Sequence, residues 1–169
     1  MKRLGFVSLA AAAFATAAPA FAQPRPEPVA TYRDWNVFKL DTGDDTVCFA
    51  VSEPKDRAPK NVNHGDIFMI VSTWKSGAAV NQPSFKAGFN FRPRSTPEIR
   101  IGSDRFDMYP SDNEAFIEAN EDERRLINAM KRGADMIVRA TSARGTAVTY
   151  EISLLGVTAA LDRVQEECS

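Results

Sequence analysis

Histidine and cysteine are scarce in this chain of 169 residues: His64 stands alone, and Cys48 and Cys168 are the two thiols. A zinc site built on His64 finds no second histidine or spare cysteine at ligand spacing. A Ser-His-Asp triad would have to use the same ring, and no G-x-S-x-G supplies its nucleophile. No C-x-x-C is present, which removes a thioredoxin-like redox role. Walker and Rossmann glycine patterns are also missing, so nothing cradles a nucleotide phosphate. Glu121, Asp122 and Glu123 resemble calcium ligands, but they are contiguous, where an EF-hand loop needs alternate spacing and a glycine turn. They suit the first turn of a helix better. No cofactor and no metal is expected from these patterns.

What the sequence does have starts at its N-terminus. Lys2 and Arg3 precede an alanine-rich apolar run over residues 4–18, and Ala20-Phe21-Ala22 is an A-x-A cleavage signal. Residues 1–22 therefore read as a secretory signal peptide, with Gln23 as the new N-terminus. The rival, an uncleaved anchor, needs about 20 apolar residues and no cleavage site. With no cysteine near the cut, a lipid-modified N-terminus is excluded, and no later stretch is apolar enough to span a bilayer. Cleavage removes two basic residues and no acid, so 21 Lys+Arg against 22 Asp+Glu becomes 19 against 22, a net charge near −3. Such a balance offers no bulk attraction for nucleic acid or an anionic membrane. The expected location is periplasmic or secreted, with no membrane span after cleavage.

An exported compartment is oxidising, and two cysteines there most simply pair. Cys48 with Cys168 is the one intramolecular pairing available; two free or intermolecular thiols are the alternative.

Residues 23–30 carry Pro24, Pro26 and Pro28 and read as an extended, flexible or semi-rigid lead-in to one domain over residues 31–169. "TYRDWNVFKL" reads as a first strand with Trp35 and Val37 on one face, and "TVCFAVSEP" as a second. Residues 55–65 read as a long polar loop. "DIFMIVSTW" is apolar throughout and predicts a strand buried on both faces. "SFKAGFNFRP" alternates, with Phe85, Ala87, Phe89 and Phe91 on one side. "EIRIG" and "RFDMYP" predict short strands, while "SDNEAFIEAN" is ambiguous.

"EDERRLINAMKRG" predicts a helix with Asn120 as N-cap, a stripe of Leu126, Ile127 and Met130, and a left-handed Gly133 at its end. Two strands follow around Ala143-Arg144-Gly145. "GVTAALDRVQEEC" predicts a last helix whose apolar stripe includes Val157, Val164 and Cys168. The fold class is mainly β: a single β-sandwich-like domain with one helix between late strands and a second at the C-terminus, a barrel being the rival.

Candidate contact residues are few. Trp35 and Trp74 are either core or a carbohydrate-stacking platform, with Trp74 placed beside the long loop. Arg144 at a hairpin tip either is solvated turn chemistry or meets a partner. His64 reads as a polar loop residue next to Gly65, or as a contact to a partner. Carboxylate pairs of glycosidase type meet only in the fold, so a hydrolase stays among the alternatives, as does a carbohydrate- or small-ligand-binding module.

Four segments in order, "DWNVF", "VCFAVSEP", "LINAMKRGADMIVRATSARGT" and "YEISLLGVTAALDRVQEEC", resemble the invasion-associated locus B family of bacterial exported proteins. The resemblance covers nearly the whole mature chain. It implies a small periplasmic or secreted β-rich domain, and it carries over no established enzymatic activity and hence no catalytic residues. It also implies a tie to host-cell entry in the members that gave the family its name. Cys48 and Cys168 match the family's cysteines; a second pair present in some members is missing here. The expected partner is an envelope or host-surface protein, with no expectation for oligomeric state.

Overall fold

The computed structural model describes residues 24–169, and the predicted signal peptide lies outside them. The chain runs β1 (Glu27–Tyr32), β2 (Trp35–Asp41), β3 (Thr46–Ser52), β4 (Asp56–Ala58), β5 (Phe68–Trp74) and β6 (Gln82–Lys86). It continues as β7 (Glu98–Ile101), β8 (Asp104–Asp107), β9 (Tyr109–Ser111), β10 (Glu114–Phe116), α1 (Asn120–Arg132), β11 (Asp135–Thr141), β12 (Ala147–Ser153) and α2 (Val157–Cys168). The strands form a seven-stranded sheet, β1-β2-β3-β5-β6-β10-β9, and a five-stranded sheet, β4-β12-β11-β7-β8. Every strand pair is antiparallel. This is the mainly-β, two-sheet architecture the sequence predicts.

The core lies between the sheets and under the helices. Trp35, Val37, Cys48, Ala50, Met69 and Phe85 from the larger sheet are buried, as are Ile99, Met136, Val138, Tyr150 and Ile152 from the smaller one. Phe85 meets Tyr150 across the gap, ring centroids 5.5 Å apart. Trp35 donates its Nε1–H to the carbonyl of Ser153 at 3.0 Å, so the largest core side chain satisfies its one polar atom while tying the sheets together. α2 contributes Val157, Ala160, Leu161, Val164 and Cys168 to the core, at the helical spacing read from the sequence. Cys48 and Cys168 are joined as a disulfide, which fixes the last turn of α2 to β3.

Several local expectations change. The predicted first strand is a hairpin, because Arg33 takes a positive φ of 57° and reverses the chain between β1 and β2. The lead-in is paired from Glu27 onward, as an edge strand where Pro28 sits beside a register shift. The long loop contains β4, three residues that pair with β12. The ambiguous stretch is the β9–β10 hairpin, turned at Asp112 with φ 52°. α1 has its stripe on Leu126, Ile127 and Met130 as predicted. Its N-cap, however, is Ala119 with no side-chain bond, and Gly133 is extended with φ −82°. Glycine serves Gly133 through closeness instead: a Cβ there would lie 2.6 Å from Ile101 Cγ2.

Candidate interaction surface

His64 is a loop residue next to Gly65, between β4 and β5, and it is buried. Its Nε2 lies 2.9 Å from the Pro59 carbonyl, which only accepts, so Nε2–H donates there. The Tyr150 hydroxyl lies 2.8 Å from Nδ1 and is hydrogen-bonded to it. Burial pushes the Tyr150 hydroxyl up to about 12. Both imidazole nitrogens are thus engaged by the fold, and His64 acts as a strut between the loop and β12. The loop is seated by backbone contact: a Cβ on Gly88 would fall 2.6 Å from the Gly65 Cα.

Arg144 is exposed at the β11–β12 turn, where Gly145 has φ +89°. The structure brings Arg144 and His64 to one groove of about 560 Å³, bordered also by Val62 and Phe89. Trp74 is elsewhere. It ends β5, whereas the long loop leads into the start of that strand, so the expected neighbourhood of Trp74 and the loop does not form. Trp35 is core.

The two sheets differ in what they turn outward. In the smaller sheet most outward positions are charged, with Ile137 and Thr149 between them. Glu98 accepts from Arg100, and Arg105 and Arg139 lie 2.8 and 3.6 Å from its carboxylate. The hydrogen bond from Arg100 and the surrounding guanidinium charges hold that carboxyl below its ordinary value. At the other edge Lys55 bridges Asp135 and Glu151. This is the usual alternation of an antiparallel sheet, apolar inward and polar outward.

The larger sheet breaks that alternation. Register places Leu40, Val47 and Trp74 in one outward row. Phe38, Phe49 and Ser72 form the next, with the Phe38 and Phe49 rings stacked at 5.6 Å. Asn36, Val51, Ile70, Ser84 and Phe116 form the third. Charge appears in the last row, where Phe68 neighbours Lys86 and Glu114. None of these apolar outward side chains belongs to the core cluster or is among the partly buried groups packed on it. Most are half-buried, and Val47 is buried. β5 shows why the sequence misled: its continuous apolar run does give a buried face of Met69 and Val71, but Phe68, Ile70 and Trp74 on the other face are half-buried and stand outside the core cluster. Trp74, singled out from sequence, lies on this face; Phe49 and Ile70 were hidden in runs that read as core.

A second groove, about 620 Å³, runs between residues 77–82 and α1, with Asn81, Gln82, Asn120 and Asn128 on its walls. Asn81 Oδ1 is buried there without a partner. Burial raises the Glu123 carboxyl at the same groove. Of the acids, Asp104 and Asp135 border a shallower groove, and Asp135 is taken up by Lys55. Among the described residues no helix is long and apolar enough to cross a membrane.

A family model described as "Invasion associated locus B (IalB) protein" matches residues 35–165. The match takes in Cys48, α1, every strand but β1 and most of α2, and stops short of Cys168. No curated protein and no solved structure matches the chain.

Proposed function

The chain belongs to the invasion-associated locus B family, and from that premise we propose that it is an exported, non-enzymatic envelope protein that works by binding. Its contact surface is the outward face of the seven-stranded sheet, and its location is periplasmic or secreted. The partner is an envelope component, a further copy of this exported chain among them, or a host-surface protein, the latter in keeping with the family's name.

The observation that carries the proposal is the contrast between the two outward faces. A contiguous apolar patch beyond a few hundred Å² is uncommon on a lone soluble domain and marks contact sites. One sheet meets this norm with arginines and carboxylates; the other presents Phe38, Phe49, Ile70 and Trp74. The leader and the disulfide support export. The engagement of both His64 nitrogens supports a structural rather than a catalytic histidine. The test is capture from periplasm and outer membrane with the oxidised mature protein, beside variants Phe49→Glu and Ile70→Glu. Specific capture lost in both variants is expected. Reproducible turnover of an envelope substrate by the purified protein would overturn the proposal.

A second function, binding of a carbohydrate or small hydroxyl-rich ligand, is favoured by the groove against α1. Carboxamides pair with hydroxyls as donor and acceptor at once, and Asn81 Oδ1 lacks a partner. Titration with envelope glycans, read by tryptophan fluorescence and calorimetry, tests it; silence with Asn81→Ala and wild type alike removes it.

A further inference from the structure

We propose that the occupant of the outward face is a second copy of this chain, packed sheet on sheet across a two-fold axis. The proposal rests on the face being the contact surface and names what covers it. β2 through β10 span five adjacent strands and β2, β3 and β5 are seven residues long. β6 and β10 are shorter, five and three residues. At about 4.8 Å per strand and 3.3 Å per residue the face covers roughly 460 Å² per copy. Two copies would bury about 920 Å² before side-chain relief is added, the size of a weak, reversible interface rather than of the stable ones that begin near ~1,200 Å².

Composition and shape point the same way. The rows from Leu40 to Phe116 contain no charged side chain, and Lys86 and Glu114 stand at the last row. Cores of interfaces are depleted in charge and enriched in aromatic residues, with polar groups at the rim. A face without charge selects no partner by charge complementarity, whereas an apolar face complements itself. Two sheets of the same right-handed twist stack about 10 Å apart with strands near −30°. A copy of the same sheet brings the matching twist. The net charge near −3 on each mature chain gives only weak repulsion at physiological salt. The groove bordered by His64 and Arg144 lies off this face, so a dimer would present it twice.

The experiment is sedimentation equilibrium of the oxidised mature chain over roughly 1 to 200 µM, a range that brackets a micromolar constant. The wild type is expected to approach twice the monomer mass. Phe49→Glu is expected to sediment as a monomer, its dissociation constant raised at least ~100-fold by the unpaired buried carboxylate. Ser72→Lys, which deletes no apolar group, gives the same outcome if Phe49→Glu fails to fold. Ile137→Glu, on the outward face of the other sheet, leaves the dimer intact. A wild type that stays monomeric throughout overturns the proposal, as does a Ser72→Lys protein that remains dimeric. If the wild type is monomeric while Phe49→Glu and Ile70→Glu lose captured envelope proteins, the second copy is refuted and the face keeps its role. If it is monomeric and the variants capture as the wild type does, both fall.

Discussion

Removing the disulfide should cost this domain a large part of its stability, and the size follows from topology. Cys48 lies mid-strand in β3 and Cys168 on the last turn of α2, 120 residues apart in sequence. In the chain-entropy model a closed loop of that length restricts the unfolded state by about 5 kcal/mol. Measured values fall below this, because unfolded chains keep residual structure. The native side loses little. α2 retains Val157, Ala160, Leu161 and Val164 in the core, and Lys39 stays 3.5 Å from Glu167. Cys48→Ala/Cys168→Ala should therefore lose roughly 3–5 kcal/mol, out of the ~5–15 kcal/mol typical of such domains. Urea unfolding at neutral pH measures it, and the m-value should rise as the freed denatured chain expands. Wild-type protein in reductant should match the variant. A loss under about 1 kcal/mol, with an unchanged m-value, would refute the entropic account and mean that α2 is held by packing alone.

Three further outcomes follow from single groups. Tyr150→Phe removes the hydroxyl hydrogen-bonded to His64 Nδ1 and leaves a buried ring nitrogen without its partner, costing about 1–3 kcal/mol by denaturant titration. Because Tyr150 is raised from 10.0 to about 12 in the fold, its contribution is whole below pH 10 and is lost as the pH climbs toward 12. The variant should lack that alkaline decline. Glu98→Gln should flatten the acid limb of the stability profile. The native carboxyl is held low by Arg100, so its contribution is present above the ordinary glutamate range and vanishes as pH falls through the depressed value. Gly156→Ala should lower the melting temperature sharply: φ is +94°, and a Cβ would stand 2.0 Å from the Tyr32 carbonyl oxygen, a cost of at least about 2 kcal/mol.

Much of this fold was legible because its strongest signals are local. The α2 stripe, the Gly145 turn and the alternating burial from Phe85 to Phe91 each depend on a few neighbouring residues, although the strand itself ends at Lys86. The pairing of Cys48 with Cys168 followed from a count and a compartment. What escaped depended on partners far along the chain. β4 exists only because β12 pairs with it, and the buried state of His64 depends on Tyr150, 86 residues away. The Arg33 turn lacks the glycine or asparagine that advertises a positive φ. The outward apolar face was invisible for a different reason. A run such as "FMIVSTW" is the same string whether its second face is buried or waits for a partner. Only the register of β2, β3 and β5, set against the core cluster, separates the two cases.

The central claim is that this protein acts through that outward face. A photoreactive residue placed at Ile70, on the larger sheet, and separately at Ile137, on the charged face of the smaller one, tests it in the living cell envelope. Irradiation is expected to give discrete cross-linked species from position 70 and none from position 137. Position 70 silent, or both positions cross-linking alike, would contradict the account.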